Sequence, residues 1–97
     1  MKEELNYLLI ITIYLYVFNR KGVIINTTKT ADLGFNFYDL GESYEDFLKN
    51  VWKSKSLAIE RVGLETATKT PIKYAYQAID NDFLLEIGIK YESIALI

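Results

Sequence analysis

The strongest constraint on this chain is a change of hydrophobic period along its length. From Ile11 the apolar residues alternate: Ile11, Ile13, Leu15 and Val17 fall on one side, Thr12, Tyr14, Tyr16 and Phe18 on the other. That is the period of a strand, and both of its faces carry apolar side chains, as in a central strand covered on both sides. The second cover would be a helix, a ligand or a second subunit. Further on, Tyr44, Phe47, Leu48, Val51 and Trp52 recur at i, i+3, i+4, i+7 and i+8, the stripe of a helix laid on a core. The alternation then returns in Leu57 to Glu65, Ile72 to Ile79 and Phe83 to Tyr91. A chain that begins and ends in strand periodicity around one helix is an α+β domain with an antiparallel sheet.

The punctuation agrees. Asn19-Arg20-Lys21-Gly22 breaks the first run with residues that favour turn entry and a left-handed backbone, so Val23 to Thr28 is expected to return as the second strand of a hairpin. Asp80-Asn81-Asp82 joins the last two strands. The helix is expected over about 43–53, started by Ser43 or Asp39, with Glu42, Glu45 and Asp46 at the positive end of its dipole and Lys49, Lys53 and Lys55 at the other. Leu5, Leu8 and Leu9 stand at helical spacing, which predicts a short helical lead-in over residues 1–10. In the last strand, Phe83, Leu85, Ile87, Ile89 and Tyr91 are expected to face inward, with Leu84, Glu86, Gly88 and Lys90 outward. The resulting order is helix end, β, β, loop, helix, β, β, β, a five-stranded sheet in one domain over 1–97. The apolar run from Tyr7 to Phe18 is shorter than the roughly 18 to 20 residues that cross a bilayer as a helix.

Composition narrows the chemistry. The chain has neither Cys nor His, so zinc sites built on those ligands, thiol redox work, His-activated nucleophiles and His-ligated haem lose the side chain they need. No cofactor and no catalytic residue is implied, since no two carboxylates stand on facing elements as acid and base. A formal charge of −2 with acids and bases interspersed offers no footprint for nucleic acid. A Cys-free chain suits either redox compartment.

Two strands, a helical connection and a three-strand meander is the arrangement of PAS and Cache sensor domains. The residues that sharpen the likeness are Tyr14-Leu15-Tyr16-Val17-Phe18-Asn19-Arg20-Lys21-Gly22-Val23-Ile24-Ile25-Asn26-Thr27-Thr28, then Asp32-Leu33-Gly34-Phe35-Asn36-Phe37, Glu60-Arg61, Lys73-Tyr74-Ala75-Tyr76 and Leu85-Glu86-Ile87-Gly88-Ile89. From Tyr14 onward the chain resembles the Cache-type sensor segment of bacterial and archaeal histidine kinases, cyclic-dinucleotide enzymes and chemoreceptors. The resemblance implies a non-catalytic, ligand-sensing input domain, usually extracytoplasmic and tied to the membrane only through flanking segments. It departs from the family at Thr68-Lys69-Thr70-Pro71 and Asp80-Asn81-Asp82, and it lacks the Arg-Trp-Tyr pattern of the amino-acid-binding branch.

Five residues are candidates for a ligand site between sheet and helix layer. Arg61 shares strand parity with Leu57 and Ile59, and its guanidinium fork would suit a carboxylate or phosphate; pairing with Glu60, Glu65 or Glu86 is the structural alternative. Tyr74 and Tyr76 face one way from a single strand, as Tyr14 and Tyr16 do from another, and offer an apolar wall with one hydroxyl each, or core packing under the helix. Tyr38, in the aromatic loop, and Trp52, on the helix, complete the set. Asp80 and Asp82 are oxygen donors that a solvated turn explains equally well, so no metal site is assigned. The rival function is a ligand-free homodimerisation module that buries the two-sided first strand against a second copy.

Overall fold

The computed structural model describes residues 7–59, 63–64 and 71–95. Strand β1 (Tyr7–Asn19) turns through Arg20-Lys21-Gly22 into β2 (Ile24–Thr27); helix α1 (Glu42–Ser54) follows, then β3 (Ala58–Ile59), β4 (Gly63–Leu64), β5 (Pro71–Ala78) and β6 (Phe83–Ala95). The sheet is antiparallel and five strands across, in the order β2-β1-β6-β5-β3, with β4 sharing the outer flank of β5. The first and last strands pair over their full lengths, from Tyr7 opposite Ala95 to Asn19 opposite Phe83. Of the helical lead-in expected over residues 1–10, Tyr7–Ile10 belongs to β1 instead, because these four consecutive apolar or aromatic residues find ladder partners in β6, and residues 1–6 lie outside the described residues.

The turns form as their residues dictate. The Asn19 side chain accepts hydrogen bonds from the Lys21 and Val23 amides, at 2.9 and 3.1 Å, and Gly22 takes a φ of 77°. Gly22 is required twice over, because a Cβ there would lie 2.5 Å from the Tyr38 ring. In the last hairpin the Asp80 carboxylate accepts from the amides of Asp82 and Phe83, which commits it to the turn. Helix α1 matches its expected span. Its N-cap, however, is Gly41, with no side-chain cap bond, in place of Ser43 or Asp39. The chain arrives there from a 3-10 turn over Phe37–Leu40 that Asn36 caps by accepting from the Tyr38 amide.

The two faces of the sheet differ sharply, and the inward face is the opposite of the one expected for β6. Phe18 and Leu84, paired across β1 and β6, are both 0% exposed, and they pack with Leu48, Val51 and Trp52 of α1, Phe37 and Tyr76. Leu84, Glu86, Gly88 and Lys90 thus point under the helical layer, whereas Phe83 and Tyr91 are exposed and Leu85, Ile87 and Ile89 half-buried on the other side. The first strand follows suit: Tyr14, Tyr16 and Phe18 face the core, and Leu9, Ile11, Ile13 and Leu15 face outward. Length explains part of this. Thirteen strand residues span about 43 Å, while thirteen helical residues span about 20 Å. The helix therefore roofs one end of the sheet, where Phe18, Leu84 and Tyr76 lie, and the remainder of that face mixes polar Thr12 and Lys90 with Leu8, Ile10 and buried Ile72.

Candidate functional site: a tyrosine-lined cleft beside the helical layer

Strand register places the side chains of the core face in rows across three strands. Tyr16 of β1 stands opposite Glu86 of β6, which stands opposite Tyr76 of β5. The next row is Tyr14, Gly88 and Tyr74. Gly88 is small for a reason visible here: a Cβ would come within 3.1 Å of the Tyr74 ring, so the ring lies over the glycine. The result is a floor of tyrosines around one carboxylate, and Glu86 is only 6% exposed.

The wall is the connection between β2 and α1. Backbone bonds from Ile24 to the Phe35 carbonyl, from Gly34 to the Ile24 carbonyl and from Phe37 to the Gly22 carbonyl, at 2.8–3.0 Å, lay this segment along β2. The Tyr16 hydroxyl donates to Asp32 at 3.1 Å and ties the loop to the floor. Phe37 stacks edge-on against both Phe18 and Tyr44, at 5.2 Å each. Between floor and wall lies a cleft of about 360 Å³ lined chiefly by Tyr16, Asp32, Tyr44, Tyr74, Tyr76 and Glu86, with exposed Phe35 and Leu40 at its mouth.

The charged groups of its described lining are acidic. The described lining contains two carboxylates and no basic side chain. Lys29 and Lys90 lie over the Tyr14 ring, at 5.2 and 5.8 Å, with Lys29 3.9 Å from the lining residue Asp32 and Lys90 3.7 Å from Glu92. Burial, then the Asp32 carboxylate, then Glu86 hold the Tyr16 phenol far above its ordinary pKa. Tyr16 is therefore a neutral hydrogen-bond donor at any physiological pH.

Of the five sequence candidates, Tyr74 and Tyr76 lie together in this cleft. Tyr38 does not line it: its hydroxyl donates to the Arg20 carbonyl at 3.0 Å, its ring covers Gly22, and burial raises its pKa. Trp52 is a core residue whose indole N–H donates to the Phe83 carbonyl at 3.2 Å, with the Arg20 guanidinium 4.7 Å above its ring. It borders a separate recess with Lys55 and Asp80. Arg61 lies outside the described residues, and Leu57 and Ile59, whose parity it shares, are exposed. Asp32, Tyr44 and Glu86 are not among the sequence candidates for the site; Glu86 enters the sequence reading only as an alternative ion-pair partner of Arg61. The signal for Glu86 was present in the polar parity Glu86, Gly88, Lys90, which reads as a solvent face until the tyrosines opposite it are considered. Among the described residues no group of three or more acidic side chains is placed to hold a metal ion, and no described helix is long and apolar enough to cross a membrane.

No protein-family model matches this sequence, and no curated protein or solved structure matches it significantly.

Proposed function

We propose that this chain is a non-catalytic sensor domain that binds a small organic cation in the tyrosine-lined cleft. The observation that carries the reading is the cleft itself: about 360 Å³ walled by aromatic rings, with Asp32 and Glu86 as the charged groups among its described lining residues. Aromatic faces attract a cationic nitrogen through their quadrupoles, and carboxylates neutralise it. A few polar groups in an otherwise apolar concavity are the usual make-up of a small-molecule site. The ligand class follows the charged side chains of the described lining, Asp32 and Glu86, while Arg61, from which a carboxylate ligand was expected, lies outside the described residues. A five-stranded antiparallel sheet with one main helix is the architecture that the PAS-like Cache resemblance implies, and it supports the sensory reading.

The cleft is also well placed to transmit occupancy. Its floor draws Tyr16 from β1 and Glu86 from β6, the two central strands, which share a ladder thirteen pairs long. A ligand that prefers one twist or spacing of that ladder shifts the population of the paired strands, and only such differential affinity can drive a signal.

The test is a thermal-shift panel of small amines, quaternary ammonium ions and guanidinium compounds against matched organic acids, followed by calorimetric titration. A ligand at a hundredfold excess over its Kd stabilises the native state by about 2.7 kcal/mol. A cation is expected to raise the melting temperature of the wild type and to lose most of that effect on Asp32→Asn, which removes the charge at the end of the Thr30–Asp32 3-10 turn and keeps an oxygen to accept from the Tyr16 hydroxyl. Stabilisation by acids alone, or equal stabilisation of both proteins by the cation, contradicts the proposal.

A further inference from the structure

The side of the sheet away from α1 has no layer upon it among the described residues, yet it is the more aliphatic of the two. Opposite pairs run along its centre: Ile11 with Tyr91, Ile13 with Ile89, Leu15 with Ile87 and Val17 with Leu85. Ile11 and Ile13 are 54% and 55% exposed. The two 13-residue central strands together with β5 give this face a footprint of roughly 600 Å². That is at the upper end of what monomeric proteins leave in water and close to the ~800 Å² per partner of a stable interface.

We propose that this face is the interface of a homodimer, sheet packed on sheet. Three features select a second copy over other occupants. First, an isologous interface presents a patch to itself, so a charge at its centre would meet its own like; the four opposed pairs carry none, and Lys73 enters only beside Ile89, on β5. Second, self-complementarity needs a recess as well as a ridge on the same face. Leu15, Val17, Asn26, Thr27, Thr28 and Leu85 enclose a hollow of about 210 Å³ next to the ridge of Ile11 and Ile13. Third, a lipid surface would call for a basic rim, and the chain carries 13 acids against 11 bases. Aligned packing of two twisted sheets about 10 Å apart would make a closed sandwich with the ligand clefts on its outer sides.

The experiment is sedimentation velocity of the whole chain from low to high micromolar concentration, on the wild type, Ile13→Lys and Leu33→Lys. Leu33 is equally exposed but sits on the loop before the helix. The wild type is expected to dimerise reversibly. Ile13→Lys, which enters a symmetric interface twice, is expected to weaken the dimer at least about a hundredfold with unchanged far-UV circular dichroism. Leu33→Lys is expected to match the wild type. A wild type monomeric throughout, open-ended growth with concentration, or a dimer that survives Ile13→Lys overturns the proposal. A monomer that instead floats with anionic phospholipid vesicles overturns it in favour of a membrane surface.

Discussion

Leu84→Ala is the substitution whose cost follows most directly from the architecture. Leu84 is fully buried, faces Phe18 on β1 and Ala78 on β5, and lies on the parity that sequence patterning alone would turn toward solvent. Truncating a leucine in such a site removes its transfer free energy and leaves a cavity that the sheet backbone cannot close, a loss of about 3 kcal/mol within the usual 2.7–5.0 range. For a chain of this size each kcal/mol shifts the midpoint by roughly 4–8 °C, so the melting temperature should fall by about 15 °C. The partner substitution is Ile13→Thr, which keeps the β-branch and strand preference but sits half-exposed on the opposite face. Measured in dilute protein, where any self-association is lost, it should cost less than about 1 kcal/mol. Urea unfolding followed by tryptophan fluorescence reads both, since Trp52 is the only tryptophan and lies in the core. Equal costs, or a loss at Ile13 exceeding that at Leu84, would refute the assignment of faces.

Two further outcomes follow from single residues. Because Tyr16 keeps its proton in the folded state beyond the pH at which an unfolded tyrosine loses it, its contribution is whole below about pH 10 and declines as the pH rises further; alkaline melting curves should therefore fall more steeply for the wild type than for Tyr16→Phe, and parallel curves would remove the buried phenol from the account. Gly34→Ala and Gly22→Ala both place a side chain at positive φ, at 86° and 77°, but only the latter meets the Tyr38 ring; the first should cost about 1 kcal/mol and the second at least 2–3 kcal/mol, and equal costs would mean that Tyr38 moves aside freely.

Much of the fold was legible in the chain. The stripe from Tyr44 to Trp52 became α1, Asn19 to Gly22 became the first turn, and Asp80 to Asp82 became the last. Which side of the sheet would be covered was not legible, because period two identifies two faces without saying where the helix will lie. On β1 both faces are apolar; on β6 the more continuous aliphatic row, Phe83 to Tyr91, was the wrong guide. The decisive terms were non-local. Phe18 and Leu84 meet Leu48 and Trp52 at one end, and the tyrosines opposite Glu86 and Gly88 make room there for a carboxylate and a ring. The cleft inherits the same difficulty: Tyr74 and Tyr76 could be picked from one strand, but Asp32 and Glu86 join them only through strand register and a 3.1 Å hydrogen bond to Tyr16.

Both proposals stand on one arrangement, in which the Tyr16, Leu84 and Glu86 side lies under the helix while the Ile11, Ile13 and Ile89 side lies open. The chain has no native cysteine, so thiol labelling of single substitutions reads that arrangement without background. In dilute native protein Ile13→Cys is expected to react at nearly the rate of a free thiol, and Leu84→Cys only as fast as the molecule unfolds. Rapid labelling at position 84 with protection at position 13 would contradict the account.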